Sequence, residues 1–211
     1  MERITLKTPM TPDEIEQARI AEIEAWAFIY GDAENAVDNM PIYRNFPDGF
    51  ITAFVDGKGA GNLKSFRINL DLHQDIASWR DITSGGTGSG HDPSGTTLYV
   101  SSLGVSPKYR GARLGQTLVD HAKDLAIDMG CRQIALGCRV PEYHKHADIP
   151  IGDYIRMRRE DGQLFDPELR FYSRCGLTFI RPLPEYMSGK DEDPESLNYG
   201  VLSVWRNPFI D

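Results

Sequence analysis

Residues 97–129, TLYVSSLGVSPKYRGARLGQTLVDHAKDLAIDM, leave few folds open: a buried strand must run through one tight turn straight into an amphipathic helix. Thr97–Val105 is rich in β-branched, aromatic and aliphatic side chains, and Pro107 ends it because proline cannot supply a ladder N–H. Leu114, Leu118, Ala122, Leu125, Ala126 and Met129 then recur at helical spacing, with Asp120, Lys123 and Asp124 off the stripe and Gly130 as the stop. The turn between is Lys108-Tyr109-Arg110-Gly111-Ala112-Arg113-Leu114-Gly115. A helix start carries N–H groups without intrahelical acceptors and the positive end of the helix dipole. Gly111 and Gly115 admit a ligand close to the backbone, and Arg110 and Arg113 add charge suited to phosphate oxygens. The unit therefore reads as a seat for a diphosphate. A plain strand–turn–helix with solvated arginines satisfies the same pattern.

Composition narrows the partners. The 211 residues suit one domain, 1–211, with 40% hydrophobic and 26% charged residues. A net charge of −8 argues against nucleic acid as the main partner, while a local basic turn still binds phosphates. Cys131, Cys138 and Cys175 are an odd number without metal-ligand spacing. MERITLKTPM has no apolar core of a leader peptide, and no apolar run reaches the length of a membrane span. The expectation is a cytoplasmic protein with reduced thiols, no membrane association and no metal.

Elsewhere the chain alternates strands and helices. Ile4–Leu6 reads as a short strand, and Thr11-Pro12-Asp13-Glu14 as a capping box opening a helix to about Tyr30, with Ile20, Ile23, Trp26, Ala27 and Tyr30 as its buried stripe. Asp32–Pro47 reads as irregular. Gly49–Val55 and Leu63–Leu70 form a hairpin about Asp56-Gly57. Gly85–Gly95 is a glycine-rich loop with no Lys-Ser/Thr after it, so it is no Walker loop; it reads as a surface loop, or as a flap carrying His91. Gln133–Leu136 is a strand and Ile151–Asp161 a helix. A further helix starts at Asp166-Pro167 and ends at Gly176. Leu177–Arg181 and Val201–Trp205 are the last strands, separated by Pro184–Tyr199, which reads as a solvated acidic loop.

Val105-x-Pro107-x-Tyr109-Arg110-Gly111-x-x-Leu114-Gly115 resembles the acetyl-CoA signature of the GNAT superfamily of N-acetyltransferases, Arg/Gln-x-x-Gly-x-Gly/Ala. Arg110 and Gly115 fill its first and last positions, and Arg113 replaces its middle glycine. The resemblance implies an α/β (α+β) fold of the GNAT type: a mixed, mostly antiparallel twisted sheet flanked by helices. It also implies acetyl-CoA as co-substrate. The pyrophosphate would lie on Arg110, Gly111, Ala112, Arg113, Leu114, Gly115 and Gln116, and the pantetheine arm along a splayed strand at Leu103, Gly104 and Val105. Phe171-Tyr172-x-x-x-Gly176-Leu177 resembles the phrase that carries the leaving-group acid of that family, which points to Tyr172.

The base is open. Many members use a strand glutamate, where this strand has Ser101 and Ser102. His91, Glu142 and His144 are the candidates by residue type alone. Three further phrases are Ser78-Trp79, Gly137-x-Arg139-x-Pro141-x-Tyr143 and Gly162-x-x-x-Asp166-Pro167-x-Leu169-x-Phe171. With Tyr186, Asp193-x-x-Ser196 and Trp205-x-Asn207-Pro208, they resemble the acetyltransferase half of bacterial proteins fused to a carbon–nitrogen hydrolase. The expected activity is acetyl transfer to a primary amine of a small molecule or peptide. Asp191, Glu192 and Asp193 point to a cationic acceptor, and a homodimer is an expected assembly. A non-catalytic acyl-CoA sensor, or a seat for another nucleotide, would share the turn.

Overall fold

The computed structural model describes residues 3–30 and 40–210. Among the described residues it has seven strands, β1 Ile4–Lys7, β2 Phe50–Val55, β3 Lys58–Ile68, β4 Thr97–Val105, β5 Gln133–Cys138, β6 Thr178–Leu183 and β7 Gly200–Arg206. They form one sheet in the order β1-β2-β3-β4-β5-β7-β6. Every pairing is antiparallel except β4 with β5. The helices are α1 Pro12–Ala25, α2 Ala27–Tyr30, α3 Met40–Asn45, α4 Trp79–Thr83, α5 Leu114–Asp128, α6 Ile151–Tyr154 and α7 Pro167–Arg174.

Local signals placed most of these elements. Thr11 and Glu14 form the capping box reciprocally, and Asp166 caps α7 by accepting from the Glu168 and Leu169 N–H groups. Asp56 and Gly57 both take positive φ between β2 and β3, as a two-residue hairpin turn requires.

Side-chain alternation along β4 assigns its two faces. Ser102 and Gly104 meet α1, where Ser102 Oγ donates to Glu22. Val105 packs with Leu114 of α5 on the other face. The main core lies among Leu98, Tyr99, Leu118, Ile134 and Leu202, all at most 2% exposed.

Several sequence expectations are corrected. The buried face of α1 is Ala18, Ala21, Glu22 and Ala25 rather than a stripe through Ile20, Ile23, Trp26 and Ala27. Small residues win there because the helix lies almost on the sheet: a Cβ on Gly59 would sit 2.1 Å from the Gln17 carbonyl oxygen. The side chain of Tyr30 lies outside the described residues, as does 31–39, whereas Met40–Asn45 is helical. Residues 151–161 hold only the one-turn α6 and a bridge from Arg158 to Leu164. The Pro184–Tyr199 segment is not merely solvated, since Tyr186, Asp193 and Ser196 are buried in it. Cys131, Cys138 and Cys175 are buried and free. No helix among the described residues is long and apolar enough to cross a membrane, and no cluster of His, Cys, Asp and Glu among them could hold a metal ion.

Candidate active site

The site begins where two strands part. β4 pairs with β5 only at Thr97, Leu98 and Tyr99, opposite Gln133, Ile134 and Ala135. Beyond Tyr99, β4 keeps only its antiparallel pairing with β3, and β5 only the pairing with β7 that runs along its whole length. The register between β3 and β4 slips at Lys64/Ser65, which leaves Ser101 as the extra residue of a bulge. The edge of β4 from Val100 to Val105 is thus open toward β5, and a cleft of about 1160 Å³ fills the gap.

At one end of the cleft stands the turn before α5. Arg113, in the left-handed region at φ 60°, occupies the N-cap position, and no side chain among the described residues caps the helix. The first-turn N–H groups of Leu114, Gly115 and Gln116 are therefore left without intrahelical acceptors. Gly111 has φ 88°, a conformation that strains any other residue. Arg110 donates from Nε to the Val105 carbonyl at 3.2 Å, which ties the turn to the end of β4. Phe171 closes the floor: a Cβ on Gly115 would lie 3.2 Å from its ring. Arg174 lines the same cleft, a cation that sequence reasoning missed although it sits inside the Phe171–Gly176 phrase. Of the ten residues expected to bind the cofactor, nine line the cleft: Leu103, Gly104, Val105, Arg110, Gly111, Arg113, Leu114, Gly115 and Gln116. Ala112 does not.

The middle of the cleft is bounded by α1. Gly104 lets that helix approach, since a Cβ there would sit 2.7 Å from Trp26 Nε1 and 2.8 Å from Ala25 Cβ. Trp26 Nε1 is buried and has no hydrogen-bond acceptor among the described residues, and the side chain lines the cleft. A buried donor left unpaired costs about 1–3 kcal/mol, so it is a position where a ligand acceptor would be favoured. Behind β4, Glu22 is almost fully enclosed. It pairs with Lys64 Nζ at 2.6 Å and accepts from Asn62 Nδ2 and Ser102 Oγ, both at 3.1 Å.

The far end is built from the phrases that no single local motif explains. Arg139, just after β5, is 8% exposed and clamps Asp193 bidentately, Nε to Oδ2 at 2.6 Å and Nη2 to Oδ1 at 2.8 Å. Its remaining donors meet Glu195 at 3.0 Å and Glu168 at 3.2 Å. Ser196 ties the cluster together, its Oγ donating to Asp193 and accepting from the Val140 N–H. Tyr186 packs over Gly137 and shares a 2.6 Å hydrogen bond with the Tyr99 hydroxyl, while its carbonyl accepts from the Trp79 N–H.

Tyr172, on α7, lines the cleft at 7% exposure. Burial, with Cys138 and Glu168 nearby, holds its phenol well above the ordinary tyrosine value, so it stays protonated across the neutral range. Glu168 lies one turn earlier on α7 and also lines the cleft. Burial, reinforced by Asp166, Asp193 and Glu195, pushes its carboxyl up to about 7 against the pull of Arg139. A third of this side chain (33%) remains accessible, so the burial comes from the walls of the cleft rather than from enclosure.

The two other catalytic candidates stand elsewhere. His91 accepts the Arg67 N–H at Nδ1 and stacks on Phe46 with ring centroids 4.3 Å apart. Burial and the Arg67 charge hold its pKa below the ordinary histidine value, and it does not line the cleft. The Gly85–Gly95 loop carries it to the side of β3, held by the Asn45 amide on the Thr87 carbonyl. Glu142 pairs with Lys145 at 2.8 Å outside the cleft lining, which lowers its pKa. His144 donates toward the Pro141 and Glu195 carbonyls. Asp191 is taken by Arg80, and Asp193 by Arg139, so neither is free to meet an acceptor. The cleft carboxylates at this end are Glu168 and Glu195 instead.

Residues 18–147 match the model of the acetyltransferase (GNAT) family. The chain is 35% identical over 167 residues to an uncharacterized N-acetyltransferase, YkwB, of Bacillus subtilis, covering 79% of this chain and 72% of that one. It is 34% identical over 164 residues to a probable hydrolase of the same organism, YhcX, covering 77% of this chain but 31% of the relative. Among solved structures, it superposes on the loading GNATL domain of CurA from Lyngbya majuscula with TM-score 0.78 at 23% identity, covering 98% and 99% of the two chains. The GphF GNAT-like decarboxylase in complex with isobutyryl-CoA gives TM-score 0.73 at 18% identity, covering 97% and 99%.

Proposed function

The chain belongs to the GNAT acetyltransferase family, and we propose that it transfers the acetyl group of acetyl-CoA to a primary amine of a small molecule or peptide. The observation that carries this reading is the parting of β4 from β5 after Tyr99 and Ala135, over the uncapped start of α5. An acyl-CoA fits the residues present. The first-turn N–H groups of Leu114–Gln116, with Arg110, Arg113 and Arg174, suit a diphosphate; the open edge of β4 suits the amides of a pantetheine arm; and Trp26 Nε1 lacks an acceptor among the described residues. The solved complex of a family neighbour with isobutyryl-CoA supports the same ligand class. When bound, acetyl-CoA supplies the activated acyl group.

The residues of this chain then hold and protonate. The β4 edge orients the thioester, and Tyr172 gives its phenolic proton to the departing sulfur as the new C–N bond replaces the C–S bond. A phenol kept protonated by burial suits that task. Arg139 meets three carboxylates, so the far end of the cleft is net negative. That charge favours a cationic amine over an acceptor or acyl group carrying its own carboxylate.

Thermal shift with acetyl-CoA, CoA, ATP and NAD, on wild type and Gly115→Glu, tests the cofactor. A shift with CoA species alone, lost in the variant, supports the reading; no shift at millimolar CoA species overturns it. Amine-dependent release of CoA thiol across a panel of primary amines separates an enzyme from an acyl-CoA-binding module. Retention of CoA binding with no thiol release for any amine would favour the module.

A further inference from the structure

We propose that Glu168 is the base of this reaction, taking a proton from the acceptor amine while Tyr172 serves as the acid one helical turn away. The inference rests on the acetyl-transfer reading above. It starts from spacing: residues 168 and 172 of α7 are four apart, so both side chains rise from one face of the helix, and both line the cleft.

The cluster around Arg139 explains why Glu168 is left available. Asp193 occupies the guanidinium fork through two short bonds and is itself fixed by Ser196. Glu195 takes a further bond from Nη2. Glu168 receives a single, longer contact, from Nη1 to Oε1 at 3.2 Å, and its Oε2 has no hydrogen-bond partner among the described residues. One cation is thus shared by three carboxylates, and the least firmly bound of them faces the cleft.

The charged and titratable groups around Glu168 are Asp166 and Tyr172 on its own element, Cys138 and Arg139 at the end of β5, and Asp193 and Glu195 on the segment before β7. Carboxylates outnumber cations in that set, and burial adds to them, so the proton affinity of Glu168 rises toward neutrality. A base with that affinity can take a proton from an ammonium near neutral pH and return it to water.

The protons balance. Glu168 Oε2 takes one from the ammonium, which frees the nitrogen lone pair that forms the C–N bond; the C–S electrons leave with sulfur, which Tyr172 protonates, and the surplus proton on the acylated nitrogen, now strongly acidic, passes to water. Exchange with solvent returns the proton from Glu168 and restores the phenol. The residue escaped sequence reasoning because nothing near Asp166-Pro167-Glu168 marks it as other than a first-turn glutamate beside a cap.

The test compares wild type with Glu168→Gln, which keeps an oxygen for Arg139. The probes are acetyl-CoA with tyramine, a protonated alkylamine, and with hydroxylamine, which is neutral in the same buffer. The expected result is a fall in kcat of about 100-fold or more with tyramine, at the lower end of general-base contributions. With hydroxylamine the variant should stay within about threefold of wild type, and CoA affinity by calorimetry should be unchanged. An equal fall with both nucleophiles, or no fall with tyramine, overturns the proposal. A wild type that binds CoA but acetylates neither probe counts against the transfer reading instead. A carboxyl titration by carbon-13 NMR of the wild type, with the Glu168 signal identified by its loss in the variant, then decides the base on its own: a midpoint near 7 supports it, and an ordinary glutamate midpoint overturns it.

Discussion

Arg139 and Asp193 are 54 residues apart in sequence, yet they form a buried two-bond ion pair at 2.6 and 2.8 Å. The pair joins the end of β5 to the segment before β7 and so fixes one wall of the cleft. Removing one partner of a buried pair strands the other charge and costs about 3–5 kcal/mol. Asp193→Ala should lose stability on that scale in urea unfolding. A loss below about 1 kcal/mol, the range of surface pairs, would show that the wall does not depend on it.

Acid should expose the same pair. Burial works against the Asp193 carboxylate, but the hydrogen bonds from Arg139 and Ser196 outweigh it and hold its pKa below the ordinary value. A depressed folded-state pKa adds stability that is present above the unfolded value, about 3.9, and lost as pH falls through the lower folded value. Replacing Asp193 by Asn should flatten the pH dependence of unfolding in that acidic window, measured between wild type and variant.

Glu168 has the opposite sign. Its folded pKa is raised to about 7, so its contribution is most favourable below the unfolded glutamate value and fades as pH rises through about 7. Wild type should therefore lose stability relative to Glu168→Gln as pH rises from about 4.3 to about 7, the unfolded and folded values. Parallel curves for the two proteins would count against the raised affinity.

Tyr172→Phe removes one hydroxyl and keeps the ring. Amine-dependent turnover should fall by about 100-fold or more while CoA affinity and unfolding remain close to wild type. The phenol's pKa lies well above 10, so no alkaline loss of activity below that value should come from this group.

Trp26→Phe deletes the Nε1 donor, which has no acceptor among the described residues. If the donor meets a ligand oxygen, CoA-species affinity should weaken by about 3- to 10-fold, the worth of one net hydrogen bond, without loss of unliganded stability. Unchanged affinity would mean that the donor serves no ligand.

Much of this protein follows from the sequence by itself, wherever the deciding physics acts over a few residues. The strand–turn–helix from Thr97, the Thr11–Glu14 capping box, the Asp166-Pro167 helix start and the Asp56-Gly57 hairpin depend on backbone geometry and neighbours within one turn of chain. Of the residues that the turn chemistry and the family resemblance single out around Arg110–Gln116 and β4, nine line the cleft. Tertiary structure decided the rest. His91 and Glu142 have suitable side chains, but the path of β3 and the pairing with Lys145 keep them out of the cleft. The buried face of α1 was set by how closely Gly59 and Gly104 admit the helix. The character of Glu168 depends on an arginine 29 residues away and on acidic groups in a distant segment. Desolvation and charge are properties of what surrounds a group, and that environment exists only once the chain has folded.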